Sequence, residues 1–446
     1  MRTTALLALL PVAMGDIGKT TYFGSHPETY YSFMHTYFNV ADNIVSDTRP
    51  ACAASPSCVC WAKLCILESS AQSCSGPTGN FQMHVVDAVK RPSGPLDISA
   101  YEAAFANHTA AFANASAATA GSWDPFWDYN FAYSTSDLDH FVKAFAAGGV
   151  PALPFSWTAA GGGATMYSVL VHVPSTVAII ELQGTSLQAA EPAFHLDTPR
   201  FMPTESQPRW EAPTEVVPRG ADAAVGAVGA GATAPYLKPL RISYASSDLA
   251  RDAAFYTTVL GATEVASFDE PASTTTKTTK MFTVKEGDAV QVHLVERTAA
   301  VVAAAPASVA ATAAALTVAG FEADLNAAHA ASLGQSGGHT VGFDKPCDFH
   351  YGHAGYGSLD DAVRAMDAMG DAAPAYRWFS GGKSGGTFAG ALPPQQQQQQ
   401  QQQLDDGRGG HYFIYIAQPN GACVQLIGTS TLAPSNMTAY DFCSGK

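Results

Sequence analysis

The segments FQMHVVDAV (81–89) and VQVHLVERT (290–298) are the most informative part of the sequence, because they repeat one pattern. Polar and apolar residues alternate in both, which predicts a half-buried β-strand, and each strand has a central histidine, His84 or His293. A second pair, WDYNFAYSTSDLDHFVKAFAAGG (127–149) and CDFHYGHAGYGSLDDAVRAMDAMG (347–370), recurs in the same order. We therefore expect two similar blocks of chain.

The blocks also open and close alike. A short strand, TTYFG (20–24) or RISYAS (241–246), leads into a helix, and a hairpin, MYSVLVHVPSTVAIIELQG (166–184) or HYFIYIAQPNGACVQLIG (411–428), ends the block. Helices are also predicted within 127–149 and 347–370, capped by Asp137 or Ser358, from apolar residues at helical spacing: Leu138, Phe141, Val142 and Phe145, then Leu359, Val363 and Met366. Each half-block is thus a strand, a helix and two or three strands. Its curved sheet must find a partner half-block to close a core, which predicts an α+β fold.

Length and charge restrict the class of protein. The 446 residues correspond to roughly three domain equivalents, and 47% hydrophobic against 14% charged residues is the composition of a globular protein. The net charge of −15 argues against nucleic acid and anionic membranes as partners. No stretch after the N-terminus approaches the roughly 18 uninterrupted apolar residues of a membrane span.

The N-terminus predicts secretion. MRTTALLALLPVAMG has one arginine, an apolar run and small residues at the end, so residues 1–15 are interpreted as a signal peptide, with a buried N-terminal helix as the alternative. A secreted or secretory-pathway location agrees with the sequons at Asn107, Asn114 and Asn436, which predict a glycoprotein.

Eight cysteines agree with an oxidising compartment, where disulfides form. Five of them lie close together and three are scattered near the C-terminus: Cys52, Cys58, Cys60, Cys65 and Cys74, then Cys347, Cys423 and Cys443. The alternative for the first group is a zinc site at Cys58, Cys60 and Cys65, although the spacing lacks paired C-x-x-C motifs.

Composition divides the chain. Residues 198–235 are rich in Pro, Ala and Gly and predict a linker, and the glutamine run 395–403 predicts a loop insertion. The expected organisation is a first domain at 16–197 that includes the Cys-rich loop, the linker, a second domain at 236–430 and a C-terminal tail at 431–446. The two domains are expected to be tandem, and they could also pair within the chain.

The segment LKPLRISYASSDLARDAAFYTTVLGATEV (237–265) resembles the opening strand and helix of the vicinal oxygen chelate superfamily, which includes glyoxalase I, bleomycin-resistance proteins and extradiol dioxygenases. QPNGACVQLIG (418–428) is similar to that family's last hairpin. The resemblance implies βαβββ modules paired into cupped mixed sheets, and so two tandem glyoxalase-like domains. It also implies a divalent metal (Zn, Ni, Fe or Mn) held by four strand positions in each cleft.

Carried onto this sequence, the resemblance places two sets of four residues at those positions, namely Lys19, His84, Asn130 and Glu181 in the first block and Arg241, His293, His350 and Gln425 in the second. Each set departs from the family pattern, because a lysine or arginine cannot donate a lone pair and an amide oxygen is a weak ligand. The metal ligands that remain are His84, Glu181, His293 and His350. Neither set provides the two-histidine, one-carboxylate triad of the family's iron dioxygenases.

Three functions follow as hypotheses. The first is a glyoxalase-like lyase or isomerase with a degenerate metal site, in which Glu181 and His84 act as acid/base groups on a small oxygenated molecule. The second is a metal-free protein that sequesters a small ligand as bleomycin-resistance proteins do, with Lys19, Arg241, Asn130 and Gln425 as binding residues. The third is a structural protein whose clefts are filled by side chains. The sequence leaves open whether a metal is bound.

Overall fold

The computed structural model describes residues 17–24, 27–42, 61–66, 82–87, 130–159, 163–176, 178–196, 216–218, 233–246, 248–271, 276–283, 290–296, 350–369, 374, 376–380, 411–418 and 423–432. The predicted signal peptide, the glutamine run and the three sequons lie outside these residues. So do all of the cysteines except Cys65 and Cys423. Within the described part of the chain, no helix is long and apolar enough to cross a membrane.

The described residues form four βαβββ modules in chain order, as the sequence predicts. Module 1 has β1 (Ile17–Gly24), α1 (Pro27–Tyr37), β2 (Val40–Asp42), β3 (Trp61–Ile66) and β4 (Gln82–Asp87). Module 2 has β5 (Asn130–Ser134), α2 (Leu138–Ala147), β6 (Ala152–Thr158), β7 (Thr165–His172) and β8 (Ile179–Gly184). Module 3 has β12 (Lys238–Ser246), α3 (Leu249–Thr258), β13 (Thr263–Pro271), β14 (Thr276–Thr283) and β15 (Gln291–Glu296). Module 4 has β16 (His350–Ser358), α4 (Leu359–Ala368), β17 (Tyr376–Ser380), β18 (His411–Ala417) and β19 (Cys423–Thr429).

Three short strands lie between modules 2 and 3. They are β9 (His195–Leu196), β10 (Val216–Pro218) and β11 (Thr233–Pro235). Strand β9 pairs with β6, whereas β10 and β11 pair only with each other among the described residues. The predicted linker 198–235 thus contains a two-stranded ribbon.

The modules pair in a nested order. Sheet A has eight strands in the order β17-β18-β19-β16-β1-β4-β3-β2, so it joins module 1 to module 4. Sheet B has nine strands in the order β13-β14-β15-β12-β5-β8-β7-β6-β9, so it joins module 2 to module 3. The expectation that consecutive modules pair within each block is therefore wrong. The antiparallel contacts β1–β16 and β12–β5, which the sequence alone does not specify, make the two joints.

One apolar core contains side chains from all four helices and from both sheets. Within it the rings of Tyr244 on β12 and Tyr351 on β16 lie 5.8 Å apart. Aromatic residues of α1 fill another part of it, where Phe33 stacks on Phe145 of α2. The aromatic spacing along α1 therefore serves packing, as apolar helix faces generally do.

The helices begin where the sequence predicts. Asp137 caps α2 by accepting a hydrogen bond from the His140 N–H at 2.9 Å, which satisfies one of the unpaired donors of the first turn. Ser358 stands at the N-cap of α4, but its side chain makes no capping bond. The predicted apolar residues of α2 and α4 are buried, apart from the partly buried Val142.

Two first-turn aspartates connect a helix to the end of its own module. The Asp139 carboxylate of α2 accepts the backbone N–H groups of Gln188 and Ala189, at 2.7 and 2.8 Å. Asp360 of α4 likewise accepts the N–H of Thr431, at 3.1 Å. A carboxylate is favourable near a helix N-terminus, so each bond holds the chain that leaves the last strand of the module.

Candidate functional site

Strand register brings the predicted site residues together in a new grouping. On β12, Ser243 is in register with His293 of β15 on one side and with Asn130 of β5 on the other. On β1, Thr21 is in register with His84 of β4 and with His350 of β16. The two sheets therefore repeat one arrangement around their central strands.

The second half of the arrangement lies two residues earlier on each central strand. Arg241 is in register with Ala132 of β5, which is in register with Glu181 of β8. Lys19 is in register with Gly352 of β16, which in turn is in register with Gln425 of β19. Alternate residues of a strand share a face, so all these positions in one sheet lie on one face, which we call the site face.

The eight residues thus form two sets, which are Lys19, His84, His350 and Gln425 in sheet A and Arg241, His293, Asn130 and Glu181 in sheet B. The sets expected for consecutive modules are wrong, because module 1 pairs with module 4 and module 2 with module 3. In particular, His84 belongs to sheet A and Glu181 to sheet B, so they do not form one acid/base site. Each of the eight residues lies on a strand of its sheet.

A buried ion pair dominates the site face of sheet B. The Arg241 guanidinium donates to the Glu181 carboxylate, and both side chains have no exposed surface. The same Arg241 nitrogen donates to the Asn130 amide oxygen at 2.9 Å. Ala132 lies between Arg241 and Glu181, and its single methyl group leaves room for the long side chains to meet above it.

Glu181 has further donors that the sequence analysis missed. The Ser168 hydroxyl donates to Glu181 Oε1 at 2.8 Å, and the Gln183 amide donates to the same oxygen at 2.9 Å. Ser168 in turn accepts from the Trp157 indole N–H at 2.9 Å. With three donors and complete burial, this carboxylate is arranged as an acceptor in a fixed network. The only sequence signal was polar residues at alternate positions of two otherwise apolar strands.

His293 completes the sheet B set. It is 3% exposed, and its Nε2 lies 3.1 Å from the amide oxygen of Gln291 on the same strand. The residues of sheet B do not fit a metal ion, because a fixed cation already contacts the two oxygen donors. In agreement, the described residues contain no group of three or more His, Cys, Asp and Glu side chains that could hold a metal.

Sheet A differs from sheet B at three of the four positions: Gln425 replaces the carboxylate, His350 replaces Asn130, and Lys19 replaces Arg241 as another cation. Gln425 is 3% exposed, and its amide nitrogen lies 2.5 Å from the Tyr415 hydroxyl. Its amide oxygen is buried, and no described residue makes a hydrogen bond to it. For Lys19, His84 and His350 the structure gives the strand position only.

Comparison with known proteins gives matches at the level of solved structures. No family model matches the chain, and no curated protein matches it. Glyoxalase I from Zea mays aligns with a TM-score of 0.42 and 10% identity, covering 93% of this chain and 92% of that one. A putative dioxygenase from Bacillus subtilis aligns with a TM-score of 0.39 and 9% identity, covering 94% and 86%.

A variant of 4-hydroxymandelate synthase from Streptomyces coelicolor aligns with a TM-score of 0.24 and 12% identity, covering 97% and 96% of the two chains. At these values the matches do not bear on activity, and the order of the elements is the stronger observation. Four βαβββ modules are joined two by two into mixed sheets through their first strands, and this fold is similar to the one that the resemblance to the vicinal oxygen chelate superfamily implies.

Proposed function

We propose that the chain binds a small oxygenated molecule on the site face of sheet A, without a metal, as a sequestering protein. The observation that carries this proposal is the Gln425 amide oxygen, which is buried and has no hydrogen-bond partner among the residues that the structure describes. A buried polar atom without a partner costs free energy, about 1–3 kcal/mol. A ligand that donates a hydrogen bond to this oxygen would remove that cost.

One position beside Gln425 has no side chain. Gly352 lies between Lys19 and Gln425 in register, and it has no side chain. In sheet B, the equivalent Ala132 lies beneath two side chains that meet above it. A glycine at this place in sheet A leaves more room, which suits a molecule lying across the face between a cationic position and an amide.

The residue types favour an oxygen-rich or anionic ligand. Lysine donates hydrogen bonds and carries positive charge, and each histidine can donate one. No carboxylate stands among the four positions of sheet A, so a carboxylate general base is missing there and the two histidines are the only groups of that set that could accept a proton. In sheet B the carboxylate is present but is held by Arg241. These features support binding over catalysis.

A metal-dependent lyase or isomerase is the second candidate, and one observation favours it. His84 and His350 are in register on either side of Thr21, and neighbouring strands are about 4.8 Å apart. Two imidazoles on strands about 10 Å apart can meet at a divalent ion, with Gln425 as a weak third ligand. A bound Zn, Ni, Fe or Mn ion would polarise a substrate oxygen.

We also propose that the protein is secreted, on the strength of the N-terminal 15 residues and the cysteine content. Expression of the full chain in a secreting host, followed by N-terminal sequencing, tests this. A mature protein in the medium that begins near residue 16 is the expected result. Retention in the cell with the N-terminus intact would reject it.

The binding proposal is tested by thermal shift with a panel of small hydroxy acids and dicarboxylates, after dialysis against a chelator. A ligand at 100 times its Kd stabilises the native state by about 2.7 kcal/mol, a rise in Tm of a few degrees for a chain of this size. Lys19→Met and Gln425→Leu should each abolish the shift. The control is Lys143→Met, which removes a charge from the exposed face of α2 and should keep the shift. A shift that survives in Lys19→Met and Gln425→Leu would place the ligand elsewhere.

A further inference from the structure

We propose that the Arg241 guanidinium is a tethered cation that permanently occupies the place where sheet B could otherwise hold a divalent ion, so that this face is closed to metals. This place lies in sheet B, whereas the ligand site proposed above lies in sheet A.

The groups around the guanidinium are ones that also bind metals. Asn130 Oδ1 lies 2.9 Å from Arg241 Nη2, and a Glu181 oxygen accepts from the same nitrogen. Amide and carboxylate oxygens are the donors that hard divalent cations prefer, and His293 lies on the same face, two residues beyond the register partner of Arg241. A positive centre among these groups is therefore required, and Arg241 provides it.

An arginine is suited to permanent occupation. Its guanidinium stays protonated at every physiological pH and is planar, so it can contact two acceptors at once. It is also covalently attached to β12, so it needs no supply of free ion. Through it, β12 is connected to β5 by Asn130 and to β8 by Glu181. A bound ion would connect the same three strands.

Replacing Arg241 with alanine should allow a divalent ion to take the place of the guanidinium. In Arg241→Ala the Glu181 carboxylate has lost its cation but remains buried, with Ser168 and Gln183 still donating to one oxygen. Burying a charge without a partner is strongly unfavourable. A divalent ion entering the space left by the guanidinium would compensate that charge, so binding of the ion and stability should become linked.

The experiment compares Co²⁺ bound per chain, after equilibration and gel filtration, in the wild type and in three variants. Any cobalt bound at the histidines of sheet A is common to all four proteins, so the differences report on sheet B. Arg241→Ala should bind about one equivalent more than the wild type, and its Tm should rise by several degrees with Co²⁺. Arg241→Ala/Glu181→Gln lacks the charged ligand and should lose both effects. Arg241→Met/Glu181→Leu, an apolar pair, should fold without the ion and bind no extra cobalt.

The cobalt experiment also gives a clear result if Arg241→Ala does not fold without the ion. If it is soluble only when expressed or refolded with Co²⁺, the inference is supported, because the ion has replaced the side chain. If it folds and binds no additional cobalt, or remains insoluble with cobalt present, the guanidinium is not a replaceable cation and the inference is overturned. Uptake of the extra equivalent by the wild type would overturn it as well.

Discussion

His84 and His350 stand in register with Thr21 on its two neighbouring strands, although one belongs to the first module and the other to the last. The site face of sheet A therefore depends on the pairing of module 1 with module 4. Variants of these two histidines therefore test whether sheet A binds a metal, independently of sheet B.

If the two histidines share an ion, they should act as a pair. His84→Ala and His350→Ala should then each reduce Zn²⁺ or Ni²⁺ retained after dialysis by a similar, large factor, and the double variant should lose no more than either single variant. The control is His293→Ala at the equivalent position of sheet B, which should not change metal retention. Metal bound by none of the proteins would leave the metal-free binding function as the one supported.

Nested pairing predicts that the chain cannot be divided at its linker. A protease site inserted at 221–230, between β10 and β11, should give two fragments after cleavage that co-elute as one native particle, because β1 pairs with β16 and β5 pairs with β12. The fragments should separate only in denaturant. Residues 16–197 expressed alone should be insoluble or unfolded, since modules 1 and 2 each lack the partner of their first strand. Separation into two folded halves would contradict the sheet order.

The modules could be predicted from the sequence, whereas their pairing could not. Alternation in FQMHVVDAV and helical spacing from Leu138 onward are local signals, and β4 and α2 lie where these signals predict. Pairing is a choice between partners of similar sequence, since β1 could meet either NFAYS or HYGHAGYGS. Chain entropy favours the nearer partner only weakly, because each doubling of loop length costs about 0.6 kcal/mol. The choice is therefore made by packing across the whole core.

The candidate site could also be predicted only in part, because its composition depends on the pairing of the modules. That Lys19 and Arg241, or His84 and His293, hold equivalent positions could be predicted from the repeat. The carboxylate that lies opposite Arg241 depends on which modules pair, so from the sequence Arg241 could be mistaken for a cation at the rim of the sheet. Arg241 is instead buried, with 1% of its surface exposed.

The buried ion pair predicts a large and asymmetric effect on stability. Glu181→Gln leaves the Arg241 charge buried without its counter-ion and should lower the free energy of unfolding by about 3–5 kcal/mol. The control is Glu264→Gln, because Lys280 Nζ lies 2.8 Å from Glu264 at the surface, where an ion pair is worth less than about 1 kcal/mol. Urea unfolding of both variants measures the difference. Equal losses would mean that leaving the Arg241 charge buried without a counter-ion costs no more than breaking an ion pair at the surface.

Two aspartates predict opposite responses to pH. Burial opposes the charge of Asp360, but hydrogen bonds from Ser430 and Thr431 outweigh burial and hold the pKa of this carboxyl below its ordinary 3.8. For Asp252 burial is the largest effect, and the hydrogen bond from Ser246 and the charge of Arg251 do not offset it, so the pKa is raised above 3.8. A lowered pKa gives stability that is present above the unfolded-state pKa and is lost as the pH falls through the folded-state value. A raised pKa gives stability that is present below the unfolded-state pKa and is lost as the pH rises through the folded-state value.

The asparagine variants separate the two effects, because neither titrates. Asp360→Asn should be less stable than the wild type at pH 7 and approach it as the pH falls well below 3.8, since the protonated wild type has lost the same charge. Asp252→Asn should match or exceed the wild type at pH 7, because the cost of the buried charge is gone, while Ser246 can still donate to the remaining oxygen. Urea unfolding at several pH values between 2 and 7 measures how the free energy of unfolding of each variant depends on pH. Variants that run parallel to the wild type across this range would show that neither carboxyl changes its pKa on folding.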